Sequence, residues 1–235
     1  MKAMPGGRLP GGWPPEGDLR EAVRDYRGLL DRGYPVQASI KLVGDRYRLD
    51  RAGRIILFRG VHGRDISERI KRNTVVSLPG RALLGLDGYN VLFTLANYRT
   101  GHPLFVGTDG LLRDAGGAHG RFPGRAAFDE ALGLAATRLA GLDLAGVSFY
   151  LDAPVSSSGD HAAAIRMACE AAGIPVSVEV AASADPLVRD YTGDAVATAD
   201  SAVAIASRAP VFDLARDVLE RRFGARFVDL GTLAG

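Results

Sequence analysis

A strand, a tight turn and a helix follow one another between Ala82 and Leu95, and this stretch constrains the fold more than any other part of the chain. Mostly apolar residues lead up to Asp87, Asp87-Gly88 interrupts them, and apolar residues then recur at helical spacing. In open α/β sheets, ligands bind at the carboxyl ends of the strands, because loops diverge there and helix amino-termini point inward. This position favours a chemical role for Asp87, although a turn or a helix cap is the simpler explanation when Asp87 is taken alone.

The alternation of strands and helices continues to the end of the chain. Such alternation predicts an α/β domain with a mostly parallel sheet flanked by helices. The predicted strands lie near residues 82–86, 103–107, 147–151, 175–180, 195–198 and 226–229, and the predicted helices near 90–99, 126–140, 159–172, 201–207 and 211–223.

Aspartates recur at the ends of these strands. Asp109, Asp152 and Asp200 each follow a predicted strand as Asp87 does, and Asp114 lies five residues after Asp109. Clustered carboxylates repel one another, and a hard cation such as Mg²⁺ or Mn²⁺, which takes oxygen ligands, is the usual reason to tolerate them. Because such an ion can activate water and stabilise charge on a phosphodiester, the pattern predicts phosphoryl hydrolysis. Helix capping by each aspartate separately is the alternative.

The first third of the chain predicts a different module. Residues 1–17 are expected to form a loose tail, 18–60 a small all-α module like a helix-turn-helix, 61–80 a linker and 81–235 the α/β domain. Residues 18–72 carry fourteen Arg or Lys against eight Asp or Glu, whereas residues 73–235 carry thirteen against eighteen. This asymmetry indicates a basic module that faces nucleic acid, with Arg51 and Arg54 as candidate phosphate contacts. A plain helical packing module with solvated arginines is the alternative.

Other features narrow the class of protein. The sequence contains no run of about eighteen apolar residues, so no membrane span is expected. The single cysteine, Cys169, excludes an intramolecular disulfide and indicates a reducing cytoplasm. Ser156 and Ser158 open a predicted helix after Asp152, where they either cap the helix or mark amides that receive a phosphate. Walker and serine-hydrolase motifs are absent from the sequence.

Several segments of the chain resemble a prokaryotic family known as domain of unknown function 434, joined to its usual carboxyl-terminal partner domain. The resemblance covers nearly the whole chain after the tail and implies no established activity. The segments that carry it are Arg32-Gly33-Tyr34-Pro35, Leu42-Val43-Gly44-Asp45-Arg46-Tyr47, Asp109-Gly110-Leu111-Leu112-Arg113-Asp114 and Ala153-Pro154-Val155-Ser156.

A second resemblance concerns the α/β domain alone. Asp87-Gly88-Tyr89-Asn90 and Thr198-Ala199-Asp200-Ser201 are similar to segments of the PIN-like superfamily, in particular its NYN ribonuclease branch. The resemblance implies RNA cleavage by a metal-activated water, with RNA preferred over DNA and Mg²⁺ or Mn²⁺ as the cofactor. By this resemblance, Asp87, Asp152 and Asp200 hold the metal, and Asp109 or Asp114 completes the site or orients water. Asn90 and Ser156 are expected to contact metal-bound water or phosphate.

Two rival functions remain open at this stage. The first is a non-catalytic nucleic-acid-binding or regulatory protein with a degenerate PIN-like domain. The second is a phosphatase similar to the haloacid-dehalogenase superfamily. Members of that superfamily typically have a second aspartate two residues after the first-strand aspartate, and Tyr89 at that position argues against this function. The sequence does not decide between a monomer and a homodimer, and no membrane partner is expected.

Overall fold

A computed structural model of the chain describes residues 16–115 and 122–234. The expected tail lies outside the described residues up to position 15, and the first helix already begins at Glu16. Within the described ranges, no helix is both long and apolar enough to cross a bilayer. The predicted helical module at the start of the chain and the mostly parallel sheet flanked by helices are both confirmed.

The described chain begins with α-helices and continues with alternating strands and helices. The helices are α1 (Glu16–Asp31), α2 (Val36–Arg46), α3 (Arg51–Gly60), α4 (Arg64–Arg72), α5 (Gly88–Arg99), α6 (Arg125–Ala140), α7 (Ser158–Ala171), α8 (Asp185–Arg189), α9 (Ser201–Ala206), α10 (Leu214–Phe223) and α11 (Leu230–Leu233). The strands are β1 (Thr74–Val75), β2 (Ala82–Asp87), β3 (Leu104–Val106), β4 (Leu112–Asp114), β5 (Leu144–Asp152), β6 (Val176–Ala181), β7 (Ala195–Ala197), β8 (Val211–Phe212) and β9 (Val228–Asp229).

The described chain divides into two compact units that are interleaved in sequence. The first unit contains residues 16–72, 102–115 and 223–234, and the second contains residues 73–101 and 122–222. This division differs from the expected boundaries, because the segment expected to be a linker contains α4, and a segment inside the expected α/β domain belongs to the first unit.

In the first unit, the helices share one apolar core. Leu19, Val23 and Tyr26 of α1 pack with Ile56 and Leu57 of α3, all fully buried or nearly so. Asp50 caps α3 and accepts a 2.8 Å hydrogen bond from the Gly53 amide.

The first unit also contains a three-stranded sheet in the order β4-β3-β9. Strands β3 and β4 are antiparallel and pair Leu104 with Asp114, so the expectation that the strand before Asp109 belongs to the parallel sheet is wrong. The turn between them needs Gly110, which adopts a φ of 86° that L-residues rarely tolerate. Strand β9, also expected in the parallel sheet, pairs with β3 instead.

The second unit is built on a parallel six-stranded sheet in the order β1-β8-β7-β2-β5-β6. From β2 the sheet extends through β5 to β6 on one side, and the chain then returns to place β7 on the other side of β2. The sheet therefore has its topological switch point between β2 and β7, and ligand crevices in α/β sheets form at such points, beyond the carboxyl ends of the strands.

Candidate functional site

Asp87 ends β2 at the switch point and caps α5. One carboxylate oxygen, Oδ1, accepts a hydrogen bond from the Asn90 amide at 3.3 Å, and Oδ2 accepts one from the Thr198 hydroxyl at 2.9 Å. The side chain is only 5% exposed, and this burial raises the pKa of Asp87 to about 7, with the charges of Asp185 and Asp200 acting in the same direction. Without a cation, this carboxyl therefore keeps its proton almost to neutral pH.

Hydrogen bonds join the two sides of the switch-point crevice. Thr198, just after β7, reaches Asp87 across the crevice, and its hydroxyl also accepts from the Asp200 amide at 3.1 Å. From the other side, the Asn90 side-chain oxygen accepts from the Ala199 amide at 2.7 Å. Asn90 thus has a structural task, while its side-chain nitrogen is not used in that contact and remains a donor for the predicted ligand.

Asp200 and Asp152 each engage one carboxylate oxygen with backbone amides. Oδ1 of Asp200 caps α9 by accepting from the Ala202 and Val203 amides at 2.7 and 3.0 Å. Oδ1 of Asp152, the last residue of β5, accepts from the Ala184 amide at 2.8 Å. Both side chains are partly exposed, and neither of these contacts uses the second oxygen.

Asp185 is a fourth acid of this edge, and the sequence analysis missed it. It begins α8 and is solvent-exposed, directly after the amide that Asp152 holds. Desolvation and then the charges of Asp200 and Asp152 raise the pKa of Asp185. Asp185 lies four residues beyond the end of β6 and precedes Pro186, so its local pattern indicates only a helix start. Its electrostatic coupling to Asp87, Asp152 and Asp200 could not be read from spacing.

The donor set suits a hard cation with few protein ligands. Within the part of the chain that the structure describes, no three His, Cys, Asp or Glu side chains lie close enough to form a ready-made metal site. Mg²⁺ usually keeps several waters and binds through one or two carboxylates together with substrate phosphates, so a complete protein cage is not required. The second carboxylate oxygens of Asp152 and Asp200, beside Asp87, whose pKa is raised by burial and then by the charges of Asp185 and Asp200, fit that mode of binding.

The serines after Asp152 differ from each other. The Ser158 hydroxyl donates to the Ala153 carbonyl at 3.2 Å and so orders the loop, whereas Ser156 is exposed. Ser157 precedes α7 with a φ of 64° and makes no side-chain cap. The first-turn amides of α7 are therefore not capped by this residue, which leaves the prediction of a phosphate at this helix start in place.

Asp109 and Asp114 belong to the first unit, where buried or half-buried arginines hold them. The fully buried Asp109 accepts from Arg113 at 2.7 and 2.5 Å and lies 3.6 Å from His62 Nε2. Burial alone would raise the pKa of Asp109, but the charge and hydrogen bonds of Arg113 outweigh it and hold the pKa below its usual range. Oδ1 of Asp114 lies 3.3 Å from Nη1 of Arg59. A structural ion pair therefore accounts for the carboxylate of Asp109.

Arg51 and Arg54 also differ in what they contact. The Arg54 guanidinium donates to the Leu49 carbonyl at 3.0 Å and forms a 2.8 Å ion pair with Asp45, so it connects α2 and α3. Arg51, in the first turn of α3, is exposed. Of the two predicted phosphate contacts, Arg51 is the one whose charge faces solvent.

Two family models match the chain in succession. The model described as Protein of unknown function (DUF434) matches residues 18–73, and the model described as Domain of unknown function (DUF5616) matches residues 77–217. An uncharacterized protein of Methanocaldococcus jannaschii is 27% identical over 187 residues, which cover 79% of this chain and 88% of that protein. No solved structure matches the chain. The PIN-like resemblance stays a prediction.

Proposed function

The chain belongs to the family described as Domain of unknown function (DUF5616), and from the acidic site within the matched residues 77–217 we propose that it is a divalent-metal-dependent nuclease that acts on RNA. The observation that supports this most directly is the placement of Asp87. This carboxyl is buried at the switch point of a parallel sheet and is coupled electrostatically to Asp185 and Asp200. Burying a carboxyl among like charges is unfavourable, and a bound cation removes that cost.

In the proposed site, one or two of the carboxylates of Asp87, Asp152 and Asp200 would bind Mg²⁺ or Mn²⁺ directly, and the others, with Asp185, would contact water bound to the ion. The metal would supply an acidified water and charge neutralisation on the phosphodiester. Thr198 keeps the Asp87 carboxylate oriented through its 2.9 Å hydrogen bond.

Binding of the nucleic acid is assigned to groups around the acids and on the first unit. The side-chain nitrogen of Asn90 and the Ser156 hydroxyl would contact phosphate or metal-bound water. The excess positive charge of residues 18–72 would supply affinity that does not depend on base sequence. The preference for RNA over DNA comes from the PIN-like resemblance alone.

Asp87→Asn tests the proposal. The parent should bind Mn²⁺ in a calorimetric titration and cleave mixed-sequence RNA when Mn²⁺ is added, and the variant should lose cleavage. Because Asn removes a buried acid whose pKa is already raised, the free energy of unfolding without metal should not fall. Asp143→Asn is the matched control, because Asp143 is an exposed aspartate just before β5, at the opposite end of that strand from Asp152.

Full cleavage by Asp87→Asn would exclude Asp87 from the reaction. A loss of about 3 to 5 kcal/mol in the free energy of unfolding without metal, the range for a broken buried network, would mark Asp87 as structural instead.

A non-catalytic RNA-binding protein is the second candidate, favoured by the capping and loop contacts that Asp87, Asp152 and Asp200 already make. A parent protein that binds RNA but neither binds Mn²⁺ nor cleaves would support that function.

A further inference from the structure

A buried hydrogen bond joins the first turns of two helices beside the acidic site. The Tyr89 hydroxyl of α5 lies 3.0 Å from Nδ1 of His161 in α7. Tyr89 is 3% exposed and His161 is 7% exposed. The two residues are 72 positions apart in the chain, so the bond connects elements that only the tertiary fold brings together.

Aromatic side chains enclose this pair and keep water away from it. The His161 ring stacks on Phe128 of α6 with centroids 4.0 Å apart, and Phe122 meets it edge-on at 5.5 Å. Tyr89 stacks on Phe93 at 5.6 Å. In such a poorly solvated environment a hydrogen bond is strengthened, and a donor or acceptor that loses its partner is costly.

Tyr89 and His161 lie just beyond the point where the pairing of β2 with β5 ends, so this pairing does not fix Asp152 relative to Asp87. Asp87 is opposite Tyr150 in the β2–β5 pairing, and β2 ends there, whereas β5 continues two residues further to Asp152. On the β2 side, Asp152 therefore lacks a strand partner. Tyr89 follows Asp87 by two residues, and His161 is the fourth residue of α7, the helix after Asp152. Burial and then the charge of Asp152 raise the pKa of Tyr89.

We propose that Tyr89 and His161 are positioning residues, whose hydrogen bond fixes the segment that carries Asp152 relative to Asp87 in the arrangement that binds the metal. This inference rests on the proposed function, because it assigns the pair a role in metal binding. Neither side chain is a metal ligand: the bond acts through the starts of α5 and α7.

Tyr89→Phe is the central test, because it removes the hydroxyl and keeps the stacked ring. Calorimetric titration should show Mn²⁺ affinity at least about threefold weaker than in the parent, and groups that orient metal ligands typically contribute about 10- to 100-fold. The matched control is Thr94→Val, which removes a buried hydroxyl of the same helix. Thr94 donates only to the Asn90 carbonyl at 2.9 Å, so this bond stays within α5.

The two variants separate positioning from general stability. Both should lower the melting temperature in EDTA by similar amounts, since each loses one buried hydrogen bond, but only Tyr89→Phe should weaken Mn²⁺ binding. Equal Mn²⁺ affinities of Tyr89→Phe and the parent would overturn the inference and leave the proposed function standing. A parent that binds no Mn²⁺ would overturn the proposed function and the inference with it.

Variants at His161 provide an independent measurement if Tyr89→Phe does not fold. Asn places a polar atom near the position of Nδ1, whereas Leu places none, so His161→Asn should bind Mn²⁺ at least about threefold more tightly than His161→Leu. Equal affinities of these two variants would also count against the positioning role.

Discussion

At the scale of single residues, the observed role of Asp200 as a helix cap and its proposed role as a metal ligand make different demands on its side chain. As the cap of α9 it needs an oxygen that accepts from the Ala202 and Val203 amides. Asn satisfies that demand nearly as well as Asp. As a metal ligand it needs negative charge, because hard cations prefer carboxylate oxygens.

Asp200→Asn should therefore keep the melting temperature without metal within about two degrees of the parent, as expected for an equivalent cap. Its Mn²⁺ affinity should fall at least about tenfold, which is about 1.4 kcal/mol. Calorimetric titration checks the affinity, and Asp213→Asn is a control at another aspartate, which accepts from the Arg216 amide at 3.0 Å in the first turn of α10. Identical Mn²⁺ affinities of Asp200→Asn and the parent would remove Asp200 from the site and with it most of the PIN-like argument.

At the scale of elements, α2 and α3 have the short connection of a helix-turn-helix, but the arginines of α3 divide between structure and solvent. The connection runs from Tyr47 to Asp50 and includes Arg48 with a φ of 49°. Gly44 of α2 lies directly under the guanidinium of Arg54, where an added Cβ would come within 2.2 Å of it. Arg54 is thus packed into the α2–α3 contact, while Arg51 faces outward.

Arg51→Ala should accordingly affect RNA binding, whereas Arg54→Ala should affect stability. Arg51→Ala should weaken binding to mixed-sequence RNA and make the negative slope of log affinity against log salt shallower by about one, with little change in melting temperature. Arg54→Ala should lower the melting temperature, because the Leu49 carbonyl loses this donor and Asp45 keeps its bond from Lys41 but loses the contact between α2 and α3. Fluorescence anisotropy across a salt series measures the slope, and an unchanged slope in Arg51→Ala would remove this arginine from the RNA interface.

At the scale of the whole molecule, the first unit depends on the last residues of the chain. Strand β9 pairs with β3, and Leu230 and Leu233 are buried in the same core as Tyr26, Leu57 and Phe105. The unit that begins at α1 is therefore incomplete until the carboxyl-terminal segment has been synthesised.

Deletion of residues 224–235 should destroy the first unit and leave the core of the second. Hydrogen exchange measured by mass spectrometry should show loss of amide protection in α1 and β3, while β2 and β5 stay protected, because their core of Leu84, Leu86 and Phe149 is retained. Thr232→Ala, an exposed change in the same segment, should leave all of these amides protected. Undiminished protection of α1 in the truncated chain would show that the terminal segment is dispensable.

Local patterns in the sequence determined most of the elements. The apolar run before Asp87 and the helical spacing after it predicted β2 and α5 close to their observed bounds, because strand and helix periodicity are properties of neighbouring residues. The same patterns predicted that Asp87, Asp152 and Asp200 end strands or begin helices. Whether they form a metal site stays a prediction.

Only the tertiary structure decided which strands share a sheet. A three-residue strand such as β3 has the same pattern in either sheet, so Asp109 could be counted with the other strand-end acids, although its strand belongs to the first unit. The pairing of Tyr89 with His161 and the coupling of Asp185 to Asp152 and Asp200 likewise join residues far apart in the chain. Such contacts depend on how elements pack, and no local periodicity carries that information.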